Sequence, residues 1–185
     1  QSAALRYAFF AEREAAKIPD IGKDVAPREI NSAGVIGAGT MGRGIAISLA
    51  DSGLPVTIVE TGQEALDTAL AEIEKLYAAM VTRGRIDEAA KAEWMGRITG
   101  AVDYAALSDA DLVIEVAFED MDVKKQIFGA LEAVAKPGAI LATNTSYMDI
   151  DAIAAATSRP QDIIGLHYFA PANVMRMLEV VRPAK

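Results

Sequence analysis

From Ala33 onward, short apolar runs alternate with longer segments of helical periodicity. Gly34-Val35-Ile36, Pro55–Glu60 (PVTIVE), Asp111–Val116 (DLVIEV), Ala139–Thr143 and Asp162–His167 read as strands. Ile98–Val102 is a further short one and Arg176–Arg182 (RMLEVVR) the last. Thr40–Ser52, Gln63–Thr82, Asp87–Met95, Met121–Ala135 and Asp149–Ala156 read as helices, with Gly84 as a stop and Pro137-Gly138 as a turn. This order predicts a mainly parallel sheet covered by helices on both faces. Ligands of such sheets bind beyond the carboxyl ends of the strands. The residues just after each strand are therefore the candidates for chemistry.

After the first strand comes Gly37-Ala38-Gly39-Thr40-Met41-Gly42, the pattern G-x-G-x-x-G. Gly37 permits the tight turn, Gly39 lets the backbone approach a pyrophosphate, and Gly42 lets helix and strand pack closely. Thr40 and Met41 open a helix whose first amides face the phosphates. Alone the pattern is weak, but here a strand precedes it and a helix and second strand come after it. That second strand ends at Glu60, whose carboxylate accepts from both adenosine ribose hydroxyls and repels a 2′-phosphate. Thr61, Gly62 and Gln63 supply no cation. The implied fold is a Rossmann-type, doubly wound α/β domain, and the favoured cofactor is NAD over NADP. FAD uses the same fingerprint, although nothing else in the chain points to a flavin. The plainer alternative is a tight turn followed by a surface glutamate.

Charge and composition narrow the classes further. The 185 residues include 18 Lys and Arg against 26 Asp and Glu, a net −8. No nucleic-acid partner is expected of so acidic a chain. With no cysteine and one histidine, thiolate and multi-histidine metal sites are excluded, so no metal is expected. The longest uncharged runs, Ile30–Gly42 and Ile163–Met175, are broken by Gly, Pro or polar residues, so no membrane span is expected. A bacterial cytoplasm is compatible with this composition. Residues 1–30 carry five basic and five acidic residues, so the net charge belongs to residues 31–185. Leu5, Phe9, Phe10 and Ala16 predict one amphipathic helix from about Ser2 to Lys17 whose apolar side wants a partner. Pro19, Gly22 and Pro27 punctuate an irregular stretch after it. We read residues 1–30 as a linker helix and its tail, and both chain ends as cut from something longer.

The only histidine, His167, ends an apolar strand, at the ligand edge of the sheet. Glu179 stands twelve residues on, in the apolar run Met177–Val181, where an unpaired carboxylate is costly to bury. If the chain turns at Pro171–Val174, Glu179 returns beside His167 and fixes its tautomer, as a general base for alcohol oxidation requires. On the residues alone, a core histidine and a surface glutamate remain an equal alternative. Asn144, Thr145 and Ser146 follow the strand Ala139–Thr143. They serve either as hydrogen-bond partners of a substrate hydroxyl or nicotinamide, or as a cap for the helix from Asp149.

Four segments together, GVIGAGTMGRGIAISLADSG, DLVIEVAFEDMDVKKQIF, ILATNTS and IGLHYFAPANVMRMLEVV, resemble in order and spacing the NAD-binding domain of L-3-hydroxyacyl-CoA dehydrogenases. The resemblance covers about residues 31–185. Residues 1–30, with ALRYAFFAERE and KIP, resemble the segment joining a hydratase domain to the dehydrogenase in multifunctional fatty-acid-oxidation proteins of the alpha-subunit type.

The resemblance implies oxidation of a (3S)-3-hydroxyacyl-CoA to the 3-ketoacyl-CoA with NAD. It makes His167 the base, Glu179 its partner and Ser146 the residue that holds the substrate oxygen. Gly37, Gly39, Gly42 and Glu60 match pyrophosphate and ribose contacts, and Glu119 and Lys124 match residues that approach the cofactor. The helix pair around Gly84 looks like an arm that touches coenzyme A, with Arg83 as its phosphate candidate. It also implies a preceding hydratase domain and a following helical domain, the latter absent from this chain. Three departures from the family pattern stand out. Ala170 replaces Asn or Ser, Val116-Ala117 replaces Ala-Val, and Tyr147 replaces a small residue after Ser146, narrowing the substrate pocket. Two rival functions stay open: a nucleotide-binding module without chemistry, and another β-hydroxyacid dehydrogenase that relies on a lysine in its second domain.

Overall fold

The computed structural model describes residues 2–15, 17–18, 21–22 and 24–184. Helix α1 (Ser2–Ala15) leads. Ala16 and Pro19, expected on this helix and in the stretch after it, lie outside the described residues. The α/β part runs β1 (Ala33–Ile36), α2 (Thr40–Asp51), β2 (Val56–Val59), α3 (Gln63–Thr82), α4 (Glu88–Gly96) and β3 (Ile98–Ala101). It continues with β4 (Leu112–Glu115), α5 (Met121–Val134), β5 (Ile140–Thr143), α6 (Ile150–Ala154), β6 (Ile163–Tyr168) and β7 (Leu178–Val181). Single 3₁₀ turns at Tyr104–Leu107 and Pro160–Asp162 precede β4 and β6. Every expected element is present, within about two residues at each end. The two 3₁₀ turns are additional, since four residues are too few to show a period.

The seven strands form one sheet in the order β3-β2-β1-β4-β5-β6-β7. β1 to β6 are parallel, and β7 pairs antiparallel with β6. The order reverses direction between β1 and β4, where an open α/β sheet leaves its ligand crevice. Consecutive strand residues feed opposite faces. Val35 and Ile58 pack with Ile45 and Tyr77 under α2 and α3, while Ile36 and Val59 pack with Phe128 and Leu131 under α5. Burial on both faces explains why these strands read as continuous apolar runs rather than alternating ones. The long helix α3 is held by Tyr77, whose hydroxyl donates to Asp51 Oδ1 at 2.7 Å and whose ring meets Trp94. Helix α1 buries none of its residues, and Leu5, Tyr7 and Phe10 are exposed.

The glycine turn joins β1 to α2 by close packing on one side and open space on the other. Gly37 has φ +100°, and a Cβ there would stand 2.9 Å from the Val116 carbonyl oxygen. A Cβ on Gly42 would fall 1.8 Å from the Gly37 carbonyl oxygen, so α2 can start here only if that position lacks a side chain. A Cβ on Gly39 would meet nothing within 4 Å. The fold therefore needs Gly37 and Gly42 and does not need Gly39. Urea denaturation is expected to show Gly42→Ala destabilised by about 3 kcal/mol or more through overpacking. Gly39→Ala should lose no more than about 1 kcal/mol, the difference between Gly and Ala as an N-cap.

Candidate active site

The carboxyl ends of β1, β2 and β4 open into a cleft of about 850 Å³ lined by Gly37, Gly39, Glu60, Tyr104, Ala117 and Phe118, among others. Glu60 sits where β2 ends. Its Oε2 accepts from the Ala38 amide at 2.9 Å, and its Oε1 from the Thr61 amide at 2.7 Å and hydroxyl at 3.1 Å. Burial pushes this carboxyl up, but those hydrogen bonds outweigh it and hold it below the usual carboxylate range. Glu60 is therefore charged and already fastened to the glycine turn. Tyr104 lines the same cleft. Burial raises its phenol, with help from Glu115 and Glu60, so it stays neutral. Thr40 is exposed at the mouth, and Met41 is half-buried against the core.

These features fit an NAD-like dinucleotide. The empty space beside Gly39 serves no packing purpose within the protein, and a ligand backbone is what needs it. Glu60 brings a fixed negative charge to the far side of the turn, which suits ribose hydroxyls and opposes a 2′-phosphate.

Along the same edge, two strands beyond β4, β6 ends with His167. Residues Pro171–Val174 turn the chain, and β7 returns in a register that sets His167 opposite Glu179. The imidazole Nδ1 lies 2.7 Å from Glu179 Oε2. The histidine side chain is 20% exposed and the glutamate 47%. The pairing thus comes from the expected return of the chain; the expected burial of the carboxylate is not found, because β7 is exposed throughout. Phe169 packs on the imidazole with ring centroids 4.6 Å apart.

Between these ends lies the loop after β5. Asn144 Oδ1 accepts from the Tyr168 amide at 2.8 Å, which ties this loop to the strand of His167. The helix from Ile150 is capped by Asp149 itself, so Asn144–Ser146 are not its cap. Ser146 is exposed, and its amide donates to Glu119 Oε1 at 3.0 Å. Thr145 Oγ1 donates to the same oxygen. Burial raises the Glu119 carboxyl, but the Thr145, Ser146 and Lys124 contacts outweigh it, so Glu119 is held below its ordinary range.

Lys124 stands at the start of α5. It has no exposed surface; its Nζ lies 2.9 and 3.0 Å from the two oxygens of the equally buried Glu115, and 3.2 Å from Glu119 Oε2. In this arrangement Lys124 meets the crevice beside Glu119, its partner at the loop. Removing Lys124 alone would strand the charge of Glu115, at a cost of about 3–5 kcal/mol. Sequence reasoning missed Glu115 as a partner. The signal was there, because a carboxylate inside the apolar run DLVIEV needs a cation, and Lys124 stands nine residues on. Arg83 caps α3 at the exposed turn before α4, away from the strand ends that carry the other candidates.

The family model described as 3-hydroxyacyl-CoA dehydrogenase, NAD binding domain, matches residues 32–185. The chain is 45% identical over 192 residues to the human peroxisomal bifunctional enzyme, covering 98% of this chain and 25% of that one. It is 42% identical over 147 residues to 3-hydroxybutyryl-CoA dehydrogenase of Clostridioides difficile, covering 80% of this chain and 52% of the relative. Among solved structures, 3-hydroxybutyryl-CoA dehydrogenase of Escherichia coli superposes with a TM-score of 0.81 at 40% identity, over 83% of this chain and 32% of that one. The chain thus spans about a quarter of the peroxisomal relatives it matches and about half of the shorter one. With its glycine turn, its fixed Glu60 and its parallel sheet, the chain belongs to the family of 3-hydroxyacyl-CoA dehydrogenase NAD-binding domains.

Proposed function

We propose that this domain supplies the cofactor site and the general base for oxidation of a (3S)-3-hydroxyacyl-CoA to the 3-ketoacyl-CoA, a step of fatty acid β-oxidation. The observation that carries this reading is the 2.7 Å contact between His167 Nδ1 and Glu179 Oε2 at the strand edge. A proton on Nδ1 donated to Glu179 leaves Nε2 free to accept the proton of the 3-hydroxyl. The Glu179 carboxylate stabilises the resulting imidazolium and holds the ring in one tautomer. Ser146, on the neighbouring loop, holds the substrate oxygen by hydrogen bonding. Gly37, Gly39, Thr40, Met41 and Gly42 receive the pyrophosphate, Glu60 the adenosine ribose, and Asn144 and Glu119 flank the nicotinamide end. Oxidised NAD, when bound, supplies the hydride acceptor. Arg83 is our candidate for a coenzyme A phosphate, and Tyr147, exposed beside Ser146, narrows the acyl entrance.

We further propose that residues 1–30 link a preceding hydratase domain to residues 31–185, and that a helical domain comes after. The exposed apolar side chains of Val174, Met177, Leu178 and Val180 next to His167 support such a cover, as does the chain's quarter share of its peroxisomal relatives. Among the described residues no helix is long and apolar enough to cross a membrane. The compartment we propose, a bacterial cytoplasm, rests on the acidic, cysteine-free composition.

On this reading the chain alone binds NAD but reduces 3-ketoacyl-CoA far more slowly than the multidomain protein; equal turnover of the two in a coupled NADH assay would remove the need for a covering domain. In the multidomain protein, His167→Ala should lower kcat by about 10²–10⁴ while the domain's NAD affinity, read by calorimetry, stays unchanged. Full turnover without His167 would favour the lysine-dependent class of β-hydroxyacid dehydrogenases. Glu60→Gln keeps an acceptor for Ala38 but removes the charge, so the NAD over NADP affinity ratio should fall about tenfold, the equivalent of roughly 1.4 kcal/mol.

A further inference from the structure

Lys124 occupies a position that two effects oppose. It has no exposed surface, so its charge has lost its water. It also stands in the first turn of α5, at the helix end where the macrodipole disfavours a cation. The offset comes from a network that runs from the sheet to the active-site loop. Glu115 is saturated: Oε1 accepts from Lys124 and the Ala117 amide, and Oε2 from Lys124 and the Thr143 hydroxyl. That fixes the ammonium, which reaches on to Glu119 Oε2. The other oxygen of Glu119 takes the Thr145 hydroxyl and the Ser146 amide, and Thr145 Oγ1 in turn accepts from the Met148 amide at 3.1 Å. Glu119 is 30% exposed; without a cation behind it, its carboxylate is free to turn to solvent and release the loop.

We infer that the buried Glu115–Lys124 pair is a positioning device, which acts through Glu119 to fix the loop carrying Ser146 without touching the reacting atoms. The inference rests on the reading of Ser146 as the residue that holds the substrate oxygen. A positioning role of this kind acts on kcat, because a displacement of about 1 Å in an oriented group costs on the order of 10²-fold in rate.

The test uses the double variant Glu115→Gln/Lys124→Met, since Lys124→Met alone leaves a buried carboxylate unpaired and endangers the fold. The double change removes both charges, and the glutamine still accepts from Thr143. In this chain, amide hydrogen exchange at Ser146 and Met148 should quicken by about tenfold or more. Exchange in β1 and β4 should stay as it was. In the multidomain protein, kcat should fall by about 10- to 100-fold. Combined with Ser146→Ala, the loss should be no greater than that of the worse partner alone, because both act on one group. Unaltered exchange at Ser146, or exchange raised uniformly through the chain, would overturn the inference, and so would additive losses. A silent Ser146→Ala would instead sink the assignment of Ser146 itself, whatever the exchange shows.

Discussion

Because β1 to β6 run in parallel, the turn glycines, Glu60, Glu115, the loop of Ser146 and His167 all emerge at one edge of the sheet. Neighbouring strands take the first amide past several strand ends, such as those of Gly37 and Asn144, and side chains take amides of the turns beyond. Glu60 takes the Ala38 amide, Glu115 takes the Ala117 amide, and Glu119 takes the Ser146 amide. Each of these three carboxylates holds a backbone turn in one shape. The edge is thus organised before any ligand arrives, and a ligand meets fixed donors and a fixed charge. Four steps of about 4.8 Å between strands β2 and β6 set Glu60 and His167 about 19 Å apart along it, a length that suits an extended dinucleotide with its substrate at the far end.

The interior of this edge shows an unusual choice. A Glu–Lys pair without exposed surface gains little stability over apolar residues of similar volume. Its neighbours Thr143 and Ala117 satisfy the carboxylate, so no hydrogen-bonding capacity is wasted. An apolar substitute would fill the same space, but it would present nothing for Glu119 to hold. The pair is therefore better understood as specifying geometry above it than as adding to the stability of the core below.

Much of this is legible in the sequence, and the reasons differ residue by residue. Helix Gln63–Thr82 announces itself because twenty residues show their period many times over, and the strand of Asp111–Val116 because both its faces are buried. The glycine turn is legible because its spacing has one physical use in that context. The pairing of His167 with Glu179 is anticipated through the chain reversal at Pro171–Val174; what differs is that the returning strand is an exposed edge, so desolvation of the carboxylate plays no part. The burial of Lys124 is not legible, because the first turn of a helix beside a ligand edge ordinarily holds exposed charge, and only the tertiary position of Glu115 pulls it inward. Asn144 reads as a candidate cap or ligand contact; its actual partner, the Tyr168 amide, lies 24 residues away on another strand, a distance no local pattern encodes.

The two halves of the site also differ in their exposure to water. The Glu60 end lies in a walled cleft, and its hydrogen bonds act in a partly desolvated setting. The His167–Glu179 end stands at the border of the sheet with the glutamate nearly half exposed, where an ion pair contributes only about 0–1 kcal/mol. Coulomb attraction between unit charges at 4 Å grows from about 1 kcal/mol in water to about 4 kcal/mol at an effective dielectric constant of 20. Covering this end would thus strengthen the hold of Glu179 on a protonated imidazole several-fold without moving an atom of the dyad. Val174, Met177 and Val180, exposed around it, are the apolar rim that such a cover would bury. On the proposed function, the adenosine end of the cofactor meets the walled half, while the dyad in the open half would gain its strength from whatever excludes water there, which is the physical ground for proposing that a second domain covers it.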